Sequence, residues 1–577
     1  MDYKKEFSKL IFSILNNSIS GINNNNNNNT IDEINALVLV PPLKELGDLS
    51  FPTFQLAKTY KKAPQVLAKE LILKLPKSDL FEFSEVNGYI NAKINEKYLI
   101  KETISTVIKE NKNYGKSNLD NNQYVIDTFN ANPLKMLHIG HLRNIVTGDF
   151  VSNILKFVGA DPKPASYGGD IGTHIAKWYW YYLKLSDKEK IIPEKDVSKW
   201  FGNIYIKAGQ LVETNPDVYK QEIDDIQVKI MNSVSLQEEI KLLAMKSHDA
   251  YMQIGKELNV YIDNSFFESA SEDKFLSIKE KLFSDNKDLF IESDGAIVAD
   301  LKDKILGNFI LIKQNGAPLY GAKDIGLVLL KKEIYPLAKH FLYVTASEQD
   351  FYFKQLFALY KFIYPDTNHF HISHGLVNTL DGKMKSRAGE SFLYEDFRDK
   401  LFSSVKAKLI ENGLDVDDTI VNDISFGVIK FEMLKTNLNK NVIFDIISAL
   451  DFQGDSSLYV QYSGVRAKSI LNKSKFKDID LELFDPKYVI EKDEVLLCSK
   501  INEFKDKVVL AYNGYKSHII ANYVLELAHT FNKFYTNCPV LVEDENTKTS
   551  RLLLIKAFLI TLENALDLLG INIPIKM

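Results

Sequence analysis

Tyr124-Val125-Ile126-Asp127-Thr128-Phe129, then Asn130-Ala131-Asn132-Pro133, then His138-Ile139-Gly140-His141 reads as a buried strand, a polar turn and the opening of a helix reaching about Val158. A helix start leaves backbone N–H groups unpaired and carries the positive end of the helix dipole. Two imidazoles and a glycine that allows close approach, set at that point, make a cradle for phosphate. From the chain's own histidine and glycine content, a chance His-x-Gly-His has a probability of roughly 1 in 100. The plainer alternative is a pair of histidines that only cap the helix.

Downstream, Phe341 to Thr345 is extended and precedes a helical run from about Gln349 to Ile363, and His369 to Val377 reads as a further strand. Strands alternating with helices predict a parallel α/β sheet of the Rossmann type. Ser186 to Ser284 is charged, helical in period and too long for a loop, so a helical insertion of about 186–284 is expected. After about Leu401, apolar positions three and four apart through Val428 to Leu450, Val495 to Ala511 and Leu552 to Leu569 predict an all-α bundle. Ile31 to Asn95 shows short alternating segments around a helix-like run, an α+β pattern. The expected domains are therefore 1–118, 119–400 and 401–577, in keeping with roughly three to four cores for 577 residues.

Composition narrows the class. With 45% hydrophobic and 25% charged residues the chain has apolar surface to bury, which excludes disorder throughout. The asparagine run Asn23 to Asn29 is the exception and is expected to be disordered. The best apolar C-terminal stretch, Arg551 to Leu562, is interrupted by Lys556, so no membrane span is expected. The first residues, Met1-Asp2-Tyr3-Lys4-Lys5-Glu6, do not resemble a secretory or transit signal, which points to the cytoplasm. Cys498 and Cys538 are far apart and lack CxxC partners, so neither a disulfide framework nor a structural metal is expected. A net charge of −5 means that any nucleic acid must be held by local basic patches, such as the six lysines against one glutamate in Lys58 to Lys77. A solvated helix face explains those lysines equally well.

Asp381-Gly382-Lys383-Met384-Lys385-Ser386-Arg387-Ala388-Gly389-Glu390 is a second polar, basic loop bounded by glycines, after the Phe370 to Val377 strand. Cations that close over a triphosphate as charge develops on the leaving group favour the transition state over bound ATP. Tyr320 and Asp324 are four apart, so a helix sets a ring beside a carboxylate, a clamp for a guanidinium. Taken alone, such a pair is more often plain helix surface.

Together the two motifs resemble the signatures of the class I aminoacyl-tRNA synthetases, a His-x-Gly-His helix start and a Lys-Met-Ser-Lys-Ser loop. Within that class, Asn132 to Asp149, Gly168 to Thr173, Leu319 to Gly326 and Ala346 to Phe353 are similar to the arginyl-tRNA synthetases. Gly47 to Ser50, Lys58 to Glu70 and Asn87 to Asn91 resemble that family's N-terminal tRNA-contacting domain. Tyr459 to Tyr462, Arg466, Phe531 to Leu541 and the stretch from Leu568 to Met577 resemble its helical anticodon-binding domain.

The resemblance implies ATP as substrate with its Mg2+, L-arginine and tRNA(Arg) as further partners, and a monomer. It implies ATP contacts at His138, Gly140, His141, Gly169, His374, Val377, Lys383, Met384 and Lys385, with Gly168 to Asp170 bordering the ribose. Arginine contacts are implied at Asp127, Asn132, Glu268, Tyr320, Asp324 and Gln349. Those to tRNA fall on Lys61, Lys62, Tyr459, Gln461, Tyr462 and Arg466. Catalytic roles fall on His138, His141, Lys135, Lys383 and Lys385. Two departures stand out: Asn130-Ala131-Asn132 replaces the family's Ser-Pro-Asn, and Ser386 replaces the second loop lysine, a gap that Lys135 is placed to fill. Two other readings stay open: a nucleotidyltransferase that acts without tRNA, and an inactive relative that binds tRNA.

Overall fold

The computed structural model describes residues 3–19, 30–301, 305–379, 393–414, 416–452, 454–474, 481, 484–489 and 491–577. Asn23 to Asn29 and the Asp381 to Glu390 loop, with Lys383, Met384, Lys385 and Ser386, lie outside the described residues. The chain divides into two compact units, 1–111 with 473–502 and 533–558, and 112–472 with 503–532 and 559–577.

In the first unit, helices α1 (Tyr3–Ile19), α2 (Ile31–Leu37), α3 (Phe54–Tyr60), α4 (Pro64–Lys74) and α5 (Glu96–Glu110) accompany strands β1 (Leu49–Pro52), β2 (Phe81–Val86) and β3 (Tyr89–Ile94). The sheet is antiparallel in the order β1-β3-β2. Asn87 (φ 51) and Gly88 (φ 83) close the β2–β3 hairpin, as an Asn-Gly turn that matches strand twist should. Phe7, Ile11, Phe51, Leu67, Leu71, Phe81 and Ile90 form its core.

The second unit is built on five parallel strands in the order β11-β10-β4-β5-β6, namely β4 (Gln123–Phe129), β5 (Asp161–Gly168), β6 (Asn264–Phe267), β10 (His340–Ala346) and β11 (Asn368–His374). Val125, Ile126 and Phe129 are buried because both faces of a parallel sheet are covered. Chain order reverses between β4 and β10, and the crevice at the carboxyl ends of those two strands is where such sheets bind ligands. Helix α6 (Ile139–Phe157) follows β4, and α7 (Thr173–Tyr182) follows β5.

The expected insertion holds α8 (Val197–Thr214), α9 (Pro216–Asn232) and α10 (Val234–Glu257), but this run of helices stops at Glu257. Asn264–Phe267 then pairs with β5, so the C-terminal part of 186–284 belongs to the sheet layer. Helix α11 (Glu268–Asp285) packs on α12 (Tyr320–Ile334), and an antiparallel sheet of β7 (Phe290–Ser293), β8 (Ala296–Asp300) and β9 (Asn308–Ile312) lies between them in the chain. Gly326 permits the contact, since a Cβ there would run into the backbone carbonyl of Ser271.

Helix α13 (Asp350–Ile363) joins β10 to β11. The single strand expected over His369 to Val377 is two, because after His374 the chain leaves the sheet and β12 (Val377–Thr379) pairs instead with β13 (Val442–Phe444). The C-terminal third is helical apart from β13: α14 (Tyr394–Glu411), α15 (Asp418–Leu434), α16 (Ile446–Ala449), α17 (Ser457–Lys473), α18 (Lys492–Asn502), α19 (Phe504–Tyr512), α20 (Ser517–Asn537) and α21 (Glu545–Leu569). The apolar period across Val428 to Leu450 is thus not one helix. Asn437-Leu438-Asn439-Lys440-Asn441 breaks it with side chains that compete for backbone hydrogen bonds.

Candidate active site at the head of the parallel sheet

His138 is the N-cap of α6, with extended backbone (φ −128, ψ 165). Its Nδ1 accepts from the Gly140 N–H at 3.1 Å, and its own N–H donates to His141 Nδ1 at 3.3 Å, a reciprocal capping box. The helix-cap alternative is therefore realised in the structure, and it also orients both rings. Because each Nδ1 accepts, the neutral rings carry their proton on Nε2 and can donate to an anion. Burial pushes His138 down to about 4 and His141 well below its ordinary value, so both are neutral near pH 7.

The loop before α6 is clamped by the insertion. Ser247 Oγ accepts from the Leu134 N–H at 2.9 Å, and the Tyr251 hydroxyl donates to the Lys135 carbonyl at 2.6 Å and the Asn132 carbonyl at 3.3 Å. Leu134 is held at φ 63, a costly conformation for a branched side chain, and these bonds from α10 fix it. Asn132 Oδ1 accepts from the Gly169 N–H at 3.0 Å. A Cβ on Gly169 would lie 2.6 Å from Glu268 Oε2 and 2.7 Å from Asn132 Oδ1, so only glycine leaves this space open. Asp170 accepts from the Ser269 N–H at 2.9 Å and hydroxyl at 2.6 Å, joining the turn after β5 to α11.

Tyr320, 69% exposed, opens α12, and Asp324 follows one turn later, as their spacing predicts. The Tyr352 hydroxyl donates to Asp324 Oδ2, and the Tyr360 hydroxyl to the Asp324 carbonyl at 2.8 Å. Of the acids expected here, Glu268 is paired with Lys323 at 2.6 Å, with Glu272 on the same ammonium at 2.9 Å. Asp127 is paired with Lys331 at 2.5 Å, and both are buried. Among the described residues, Asp324 alone of these three acids holds a phenol and no cation. Burial pushes it up to about 7, opposed by Tyr352 and Lys331. Gln349 ends the short turn Ser347–Gln349 after β10 and is exposed. Asp127 Oδ1 is buried without a hydrogen-bond partner.

His374 ends β11, with Nε2 2.5 Å from Asn144 Oδ1 and Nδ1 2.9 Å from the Gly375 carbonyl, and burial pushes it down to about 4. Sequence reading missed Arg143, which is fully buried on α6. It donates to the carbonyls of Gly375 at 2.6 Å and Lys440 at 2.8 Å, and so ties α6 to the segments around β12 and β13. Lys331 was missed as well, because a lysine late in a helix reads as solvated.

Of the residues expected to face RNA, Lys61 and Lys62 are exposed, the latter paired with Glu70 at 2.5 Å. Tyr459 packs its ring at a tilt against that of His529, with centroids 4.5 Å apart, and Arg466 lies over the Tyr462 ring at 4.8 Å while donating to Asn532 Oδ1 at 2.6 Å. Gln461 corrects the expectation: it is fully buried, and its amide donates to the Asn572 and Asp423 carbonyls at 2.8 and 3.2 Å, leaving no surface for RNA.

A parallel sheet with a histidine-capped helix at its switch point is the class I synthetase arrangement, and the comparisons agree. Residues 103–446, more than half of the chain, match the family described as "tRNA synthetases class I (R), catalytic domain". Residues 9–94 match "Arginyl tRNA synthetase N terminal domain" and 460–577 match "DALR anticodon binding domain". The chain belongs to the arginyl-tRNA synthetase family. It is 30% identical to the arginine–tRNA ligase of Clostridium perfringens over 95% of this chain and 97% of that one, and 29% identical to that of Halothermothrix orenii over 99% and 100%. The arginyl-tRNA synthetase structure from Thermus thermophilus has the same fold, with a TM-score of 0.76 over all of both chains at 24% identity.

Proposed function

We propose that this chain activates L-arginine with ATP and transfers it to the 3′-terminal adenosine of tRNA(Arg) in cytoplasmic translation. The observation that carries the arginine assignment is Asp324: a half-buried carboxylate with no ion-pair partner among the described residues, one helical turn from Tyr320, whereas Glu268 and Asp127 each have one. A substrate guanidinium supplies the missing charge. Asn132, Glu268, Gln349 and Asp127 complete the amino-acid side of the site. His138, Gly140, His141, Gly169, His374, Val377, Lys383, Met384 and Lys385 serve ATP, which brings Mg2+ with it. Lys61, Lys62, Tyr459, Tyr462 and Arg466 face tRNA, in domains of 1–118 and 401–577 that precede and follow a catalytic domain of 119–400 in the sequence. The resemblance that implies these partners also implies that the chain works as a monomer. No helix among the described residues is long and apolar enough to cross a membrane.

The chemistry needs no enzyme nucleophile. The arginine carboxylate attacks the α-phosphorus in line, the bond to the bridging oxygen breaks, and pyrophosphate leaves. The terminal 2′-hydroxyl then attacks the adenylate carbonyl and releases AMP. The protein orients the reactants, while the Nε2–H donors of His138 and His141 and the ammonium of Lys135 offset the charge on the phosphates. His138→Ala and His141→Ala are each expected to slow adenylation by about tenfold to a hundredfold while leaving the fold and tRNA affinity intact. Unfolding at ordinary temperature, read by circular dichroism, would mean that the rings serve only as caps.

ATP–pyrophosphate exchange with each standard amino acid, with and without tRNA, tests the whole reading. Exchange is expected with arginine alone and only when tRNA is present, because RNA binding completes the site. Exchange with another amino acid would overturn the substrate assignment, and full exchange without tRNA would overturn the tRNA requirement.

A further inference from the structure

Two lysines in the catalytic unit stand where folding alone would not put them. Lys135 lies in the loop before α6 and Lys177 in α7, and both ammonium groups sit over the ring of Tyr205 on α8, 5.8 and 4.4 Å from its centroid. All three side chains are half-buried. Among the described residues neither lysine has an ion-pair partner, whereas Lys323 and Lys331 each hold a carboxylate at 2.6 and 2.5 Å. Glu268 acts on Lys135, and Glu213 on Lys177, only from beyond ion-pair distance. Burial pushes both ammonium groups below their ordinary value, and Lys177 pushes Lys135 further.

A like-charged pair in a partly desolvated place destabilises the protein until an anion joins it. The face of one aromatic ring offsets only part of that cost. Lys135 lies near the histidine-capped start of α6 and the turn after β5, for its charge bears on His141 and on His174, whose Nε2 is 2.9 Å from the Gly169 carbonyl. Gly209, one turn after Tyr205, keeps the approach open: a Cβ there would come within 3.2 Å of Lys177 Nζ.

We propose that Lys177 is a second catalytic lysine, acting with Lys135 to bind the pyrophosphate portion of ATP and hold it as it leaves. The inference rests on the reading above that Lys135 faces the triphosphate. When the bond between the α-phosphorus and the bridging oxygen breaks, the electron pair passes to an oxygen of the β-phosphate. Two ammonium groups that share one ring and act on each other can serve two adjacent phosphates, and their charge counts most where water is excluded. The phosphodiester backbone of the tRNA acceptor end offers similar chemistry but spaces its charges one per nucleotide.

The test is pyrophosphate exchange by the full chain with tRNA present, comparing Lys177→Met, Lys177→Arg and Lys135→Ala. Lys177→Met keeps most of the stem and is expected to raise the pyrophosphate KM by about tenfold to a hundredfold, with the arginine and tRNA KM values within about twofold. Lys177→Arg, which keeps the charge, recovers most of the loss. An unchanged pyrophosphate KM, or a rise confined to the tRNA KM, overturns the proposal. A damaged Lys135→Ala beside a silent Lys177→Met sinks this inference alone, whereas a silent Lys135→Ala sinks the reading on which it rests. Labelling the unaltered protein with acetic anhydride needs no variant: pyrophosphate is expected to protect Lys177, and equal labelling with and without it refutes the contact.

Discussion

Replacing Asp324 with asparagine raises the arginine KM by about 30- to 1000-fold, equivalent to about 2–4 kcal/mol, in steady-state aminoacylation. The expectation follows from the charge arrangement around α12. Lys331 neutralises Asp127, Lys323 is shared by Glu268 and Glu272, and among the described residues the Asp324 carboxylate has the Tyr352 hydroxyl and no ion-pair partner. An amide keeps the size of the group and one acceptor but removes the charge, so the guanidinium arrives in a buried place without a counterion. An unchanged KM would show that Asp324 is held for structure by Tyr352.

The same carboxylate gives the site a pH dependence with a definite sign. Since burial pushes its pKa up to about 7, the free enzyme holds Asp324 increasingly protonated as pH falls below that value, and the protonated form cannot pair with arginine. The arginine KM is therefore expected to rise by about tenfold from pH 8 to pH 6, and to lose that dependence in Asp324→Asn. His138, His174 and His374 are pushed down to about 4 by burial and stay neutral throughout this window. A profile of kcat/KM that is flat in the parent protein refutes the assignment.

What the sequence disclosed follows a physical rule. Features that depend on near neighbours in the chain were legible: the strand–turn–helix at Tyr124 to His141 and the placing of Tyr320 and Asp324 one helix turn apart. Features set by distant contacts were not. Lys331 lies 204 residues from Asp127, Arg143 reaches carbonyls 232 and 297 residues away, and Gln461 reaches one 111 residues away. No local period signals that a lysine, arginine or glutamine will be buried; a partner elsewhere in the fold decides it. The strand at β13 was missed for a related reason: three residues carry too little pattern, and its pairing partner lies some sixty positions earlier.

Lys135→Ala is expected to slow adenylation by about 10²- to 10³-fold, the loss that follows from removing one charge-stabilising donor in a transition state. The motivation begins at position 386, where serine stands in place of the lysine that class I enzymes use against the leaving pyrophosphate. Lys383, Lys385 and Arg387 start from other backbone positions and need not reach the same oxygens. Lys135 is three residues ahead of the His138 cap, its backbone is pinned by the Tyr251 hydroxyl at 2.6 Å, and its half-buried ammonium has no carboxylate of its own among the described residues. An exposed loop lysine would show neither the pinning nor the burial. If Lys135 supplies the charge that position 386 lacks, adding Ser386→Lys to Lys135→Ala restores part of the rate, and the double-mutant cycle is non-additive. Single-turnover adenylation with tRNA present measures all four proteins. Strictly additive effects, or a Lys135→Ala variant as fast as the parent, would show that the two positions do not share one task.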